Sequence, residues 1–145
     1  MIYDSLIVAE YIVDFSNSNS SPISNLKLQK ILYFVQAEFL VSKGEPCFND
    51  KIEAWDFGPV IPKVYRKYKI YGSGDIPSRT KKLSLTIDKN DIYLIEDMTK
   101  HCLKYTASTL VEITHHQDPW INNYVKNQYN TISNIEIKEY FERIQ

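Results

Sequence analysis

Apolar residues recur at helical spacing over most of the chain and give way to alternation in only two short stretches. Ile2, Leu6, Ala9 and Val13 are spaced by four, three and four residues, which places them on one stripe of a helix from about Tyr3 to Phe15, with Asp4 near its start. The stretch that follows, Ser16 to Pro22, is built from Ser and Asn side chains that compete for backbone hydrogen bonds, and it ends the helix. The next segment, Leu26 to Ser42, contains neither Gly nor Pro and can be capped by Ser24 or Asn25. Leu28, Leu32, Val35 and Phe39 form its stripe, and Ile31 and Phe34 widen it. A stripe this broad predicts a helix buried over much of its circumference, at the centre of the core. Lys27, Lys30 and Glu38 remain for a narrow solvated face, and Gly44 is placed to end the helix.

From Lys51 the period changes. Ile52 and Ala54 alternate with Glu53 and Trp55, a short strand that Gly58-Pro59 interrupts. Pro62 suits the first turn of a helix carrying Val60, Val64, Tyr68 and Tyr71 as far as Gly72. A polar loop from Gly72 to Lys82 leads to Leu83, Leu85 and Ile87, whose alternation with Ser84 and Thr86 predicts a second strand able to pair with the first. Such a two-stranded element persists only when packed on helices. Beyond it, Ile92, Ile95, Met98 and Cys102 mark a helix, and Thr106 caps a shorter one carrying Leu110 and Ile113. Asp118-Pro119 reads as a cap followed by proline at the first helical position. Ser133 and Glu136 form an S-x-x-E capping box ahead of Ile137, Tyr140, Phe141 and Ile144. With no internal repeat and no domain boundary, residues 1–145 are expected to form one mainly α domain, a compact helical bundle with a small two-stranded β element.

Composition narrows the class. The chain is 43% hydrophobic and 24% charged, ordinary globular usage. Its 11 Tyr, 6 Phe and 2 Trp are less ordinary, and suit either a tyrosine-rich core boundary or a contact surface. A net charge of −1 argues against a globally basic nucleic-acid binder. Cys47 and Cys102 form neither a disulfide framework nor a metal pattern, consistent with a reducing, cytoplasmic setting. Asp4, Glu10 and Asp14 break any N-terminal signal sequence, and the most apolar run, Ile31 to Val41, is too short to span a membrane.

Three constellations could carry chemistry. His115-His116-Gln117-Asp118 holds side chains that suit a divalent metal, but adjacent helical residues point about 100° apart and H-E-x-x-H spacing is absent, so capping and ordinary hydrogen bonds are the simpler expectation. Neither cysteine has the context of an activated thiolate, no nucleophile elbow is present, and 4 glycines build no phosphate loop. The expectation is therefore no catalytic residue, no metal and no cofactor. The third constellation is basic: Lys63, Arg66, Lys67, Lys69, Arg79, Lys81 and Lys82, opposed in their stretch by Asp75 alone. Arg66, Lys67 and Lys69 interleave with Tyr65, Tyr68 and Tyr71, which fits a solvated helix face, a dock for an acidic protein or a contact with nucleic-acid phosphates.

The run Leu28-Gln29-Lys30-Ile31-Leu32-Tyr33, followed by Ala54-Trp55, Gly58-Pro59-Val60, Tyr65 and Gly72, and later by Thr114-His115 and Pro119-Trp120, resembles the Panacea domain, the SocA-like domain also described as phage-associated. The resemblance extends from about Leu6 to the last helix. It implies a mostly helical antitoxin that neutralises a cognate protein toxin, encoded by an adjacent gene, through direct contact. Some family members carry an additional DNA-binding domain, for which this chain has no room. Tyr65, Arg66, Lys67 and Lys69 are the partner-binding candidates; a nucleic-acid regulator using the same helix is the alternative, and a homo-oligomer is possible. The motif residues read physically as scaffold: Leu28, Ile31 and Leu32 as core, Gly58-Pro59 as a tight corner, Trp55 and Trp120 as large packing groups, with His115 in the same polar-aromatic corner.

Overall fold

The computed structural model describes residues 1–78 and 86–144. Helix α1 (Ser5–Ser18) starts where the Asp4 side chain accepts a hydrogen bond from the Leu6 N–H, so Ile2 is left outside the helix and exposed. Helix α2 (Asn25–Ser42) is capped by Ser24 and stopped at Gly44, whose φ of +73° favours glycine. As its broad stripe predicts, Leu28, Ile31, Leu32, Val35 and Phe39 are fully buried. The helix contacts α1, α3 (Pro62–Tyr68), α4 (Lys89–Leu103), α5 (Ala107–His115) and α7 (Asn134–Arg143). Their buried side chains join into one hydrophobic cluster centred on α2.

The β element differs from expectation in its pairing. Strand β1 (Ile52–Trp55) turns through Asp56 and Phe57 directly into β2 (Gly58–Val60), with Trp55 opposite Gly58 and Glu53 opposite Val60. Its other edge is taken by β3 (Thr131–Ile132), giving the antiparallel order β2-β1-β3. The strand expected at Leu83–Ile87 therefore has no edge of β1 to join; residues 83–85 lie outside the described residues, and Thr86 and Ile87 are not extended. Gly58-Pro59 does not end the β structure. It begins the returning strand, and the corner into the helix follows at Ile61.

Helix α3 (Pro62–Tyr68) begins on Pro62 as expected and continues as a 3-10 turn, Lys69–Tyr71. Tyr68 is buried, but Tyr71 lies in that turn and is 40% exposed, so it leaves the stripe assigned to it. The short helix α6 (Asp118–Ile121) is entered from Gln117 rather than capped by Asp118, whose carboxylate instead pairs with Arg143 at 2.8 Å. Helix α7 carries the expected reciprocal capping box between Ser133 and Glu136. Ser133→Ala should cost about 1 kcal/mol, read as a drop of a few degrees in the melting temperature. Among the described residues, no helix is long and apolar enough to cross a membrane.

Candidate partner-binding site

The largest departure from the sequence reading is Lys30. It was expected on the solvated face of α2, yet it is fully buried. Its aliphatic stem fills space beside Gly58, and its Nζ donates to the Pro59 carbonyl at 2.9 Å. Burial pulls its pKa from 10.5 down to about 7. One residue earlier, the Gln29 Oε1 accepts from the Ile61 N–H at 2.9 Å, while its Nε2 donates to Asn25 Oδ1. Asn25 in turn donates to the Tyr65 carbonyl. Two consecutive polar residues of α2 thus hold the outer edge of β2 and the start of α3. Both are buried because unpaired backbone groups at that edge would cost more than the side chains do.

A second set of tethers reaches the hairpin from the other side. His115 Nε2–H donates to the Asp56 carbonyl at 2.9 Å, and its ring stacks on Trp120 at 4.1 Å. Trp120 Nε1–H donates to the Trp55 carbonyl, and its indole stacks on Tyr124 at 4.5 Å. The Tyr124 hydroxyl donates to the Asp56 carboxylate. Tyr33 closes the arrangement by donating to Gln117 Oε1 at 2.8 Å. Gln29, Lys30, His115 and Trp120 are thus brought together as a brace around the hairpin that carries Gly58 and Pro59, while Leu28 lies in the core and Pro119 is buried in α6. His116 points elsewhere, onto the exposed Glu112 of its own helix, so the two histidines do not converge. Among the described residues, no three His, Cys, Asp or Glu side chains gather as metal ligands would. Burial pushes the Cys102 thiol up to about 12 and raises that of Cys47 as well, which leaves both unreactive at neutral pH.

The braced hairpin forms one wall of an open cavity of about 560 Å³. Leu26, Trp55, Phe57, Val60, Tyr65 and Tyr129 supply its apolar lining, with Lys69 and Asp56 at the edge. Trp55 packs edge-on against Tyr65 at 4.9 Å and near Tyr129 at 5.5 Å. Phe57, at the hairpin tip, is 64% exposed, and Tyr129 is 54% exposed with a φ of +50°. Of the sequence candidates, Tyr65 and Lys69 share this wall, one helical turn apart. Lys67 does not: it lies on the opposite flank of α3, over the Tyr68 ring. Lys63 is paired with Asp4 and Asp50, whereas Arg66, Lys67 and Lys69 make no ion pair among the described residues. Arg79, Lys81 and Lys82 lie outside the described residues.

Sequence reasoning missed Phe57, Tyr124 and Tyr129, and singled out Gln117 only as a neighbour of the two histidines. Phe57 carried a usable signal, a large apolar residue between two extended stretches. Tyr129 carried none, because it reaches the cavity through the two-residue strand β3.

The model of the family described as Antitoxin SocA-like, Panacea domain, matches residues 28–121. Antitoxin SocA of Caulobacter vibrioides (strain NA1000 / CB15N) is 38% identical over 128 residues, covering 81% of this chain and 68% of that protein. No solved structure matches.

Proposed function

Because the chain belongs to the SocA-like, Panacea-domain antitoxin family, we propose that it neutralises a cognate protein toxin, encoded by an adjacent gene, by forming a direct complex in the cytoplasm. On this reading the protein works by binding and catalyses nothing. The supporting observation is the cavity beside β1, β2 and α3: a preformed apolar surface, fixed by tethers on two sides, with Lys69, which makes no ion pair among the described residues, in its lining. Interfaces concentrate their binding energy in such rigid aromatic centres.

The test is co-expression followed by purification. Expression of the adjacent gene alone should arrest growth, co-expression with this chain should restore it, and the two proteins should co-elute as one species. An adjacent gene without toxicity, or rescue without a stable complex, would overturn direct neutralisation.

Arg66, Lys67 and Lys69, which make no ion pair among the described residues, favour one second reading, contact with nucleic-acid phosphates. It requires affinity for duplex or single-stranded probes that falls steeply with salt. A flat titration at low salt excludes it.

A further inference from the structure

We propose that the pocket between α1 and the 3-10 turn after α3 binds an arginine side chain presented by a partner protein. This site is separate from the cavity beside the hairpin and goes beyond the antitoxin reading, because its ligand class follows from its own residues.

Two carboxylates are stranded there. Glu10 and Asp14 stand one turn apart on the same face of α1 and line a pocket of about 160 Å³ together with Tyr68 and Tyr71. Glu10 is only 5% exposed, yet it makes no hydrogen bond and no ion pair among the described residues. Asp14 Oδ1 is buried too and accepts no hydrogen bond. Other buried polar side chains are partnered: Gln29 by Ile61, Lys30 by Pro59, Gln36 by Cys47 and Asp91 by Tyr3. A carboxylate held largely out of water without a partner is costly, and a cation entering the pocket removes that cost.

The cation already present does not meet this need. Lys67 also lines the pocket, but its Nζ lies over the Tyr68 ring, 6.0 Å from the centroid, and pairs with neither carboxylate. Two carboxylates against one ammonium leave the pocket net negative.

The walls select among cations. Beyond the two carboxylates they are largely apolar and aromatic, whereas calcium or magnesium takes about six or more oxygen ligands. The Tyr68 and Tyr71 rings lie 6.4 Å apart, tilted by 31°. A guanidinium can lay its flat face on a tyrosine ring while its N–H fork reaches two carboxylates, a combination that the compact ammonium of lysine does not offer. The margin favours a protein over free arginine. Ile70, 86% exposed, and the half-exposed Tyr71 form an apolar lip that a protein surface would cover. The negative pocket also opposes the carboxylate of the free amino acid.

The test is an NMR titration of the whole chain with blocked Gly-Arg-Gly, and with the same peptide carrying lysine or the neutral citrulline in place of arginine. The arginine peptide should shift the Glu10 and Asp14 amide signals saturably, the lysine peptide should bind about threefold or more weakly, and the citrulline peptide not at all. Glu10→Gln should weaken the arginine peptide about fivefold or more without lowering the melting temperature, and Lys67→Gln should tighten it about twofold. No saturable shift, an equal response to lysine or citrulline, or unchanged affinity in Glu10→Gln would sink the proposal. A lowered melting temperature in Glu10→Gln, or no gain from Lys67→Gln, counts equally against it. Three further results would assign the pocket to something else and end the inference. Tighter binding of free arginine would make it an amino-acid site, and displacement of the peptide by calcium or magnesium chloride at matched ionic strength would make it a metal site. Binding that appears only when Arg79, Lys81 and Lys82 are replaced by glutamine would mean that the chain fills the pocket itself.

Discussion

Gly58→Ala is expected to destabilise the protein by about 3 kcal/mol or more, the sum of a backbone penalty and a steric one. Gly58 has a φ of +104°, a conformation that residues with a Cβ rarely adopt. A Cβ built there would also lie 2.7 Å from Thr114 Oγ1 and 2.8 Å from Lys30 Cε, both belonging to buried side chains. Neither neighbour can move freely. Thr114 Oγ1 is bonded to the Val111 carbonyl, and Lys30 is held through Pro59. The melting temperature should fall by roughly 10 °C, a large share of the stability of a domain this size. Thr114→Ala should recover part of the loss in the Gly58→Ala background, because it removes one of the two clashes and leaves the backbone strain. Additive effects in that cycle would show that the close approach to Thr114 contributes nothing. The cavity beside the hairpin should suffer with the fold, since β2 forms part of its wall.

Lys30 carries the second large effect. Lys30→Ala should cost about 3 kcal/mol, because it leaves a void in a closed site and strips the Pro59 carbonyl of its donor. Lys30→Met fills most of that volume and isolates the charge. The folded lysine has a pKa of about 7, against an ordinary value of 10.5 when the chain unfolds. Between these values the unfolded chain holds the extra proton, so stability rises with pH. Below about pH 7 both states are protonated and this group adds no slope. The slope is at most about 1.4 kcal/mol per pH unit. Above about pH 8.5 unfolded cysteines lose protons that Cys47 and Cys102, with raised pKa values, retain when folded. Those two groups then reverse the trend. Melting curves from about pH 6.5 to about pH 8.5 should therefore show a rise in the unaltered protein that is missing in Lys30→Met. Taking the difference between the two proteins cancels the cysteine contribution. A parallel pair of profiles would mean that Lys30 keeps an ordinary pKa.

Lys30 also marks the boundary of what the sequence makes legible. Helical periodicity and caps locate α1, α2, α4, α5 and α7 to within a few residues, because their signals are local: Asp4, Ser24, Asp88, Thr106 and Ser133 each cap a helix with their own side chain. Periodicity assigns every charge to water, however, and cannot see that the Pro59 carbonyl of β2 and the Ile61 N–H just beyond it come to lie over Lys30 and Gln29. Strand pairing is lost for the same reason. β3 is two residues long, and what makes it a strand is the open edge of β1, a segment remote in the chain. The motif residues of the brace stand out in the sequence as a set, but nothing local marks Gln29 and Lys30 as its buried tethers. The cavity they support was not visible, because Phe57, Tyr65 and Tyr129 meet only after the hairpin, α3 and β3 have all been placed.

The outward-facing groups of β2 lead to a consequence about assembly. Pro59 has no N–H to offer, its carbonyl is occupied by Lys30, and the next free donor, Ile61 N–H, is occupied by Gln29. Two side chains of a helix therefore stand in for a fourth strand, and β3 shields the opposite flank. The β2 edge filled in this way gives a foreign chain no backbone ladder to extend. A lysine and a glutamine thus fill, at this edge, the places that the backbone of a further strand would take.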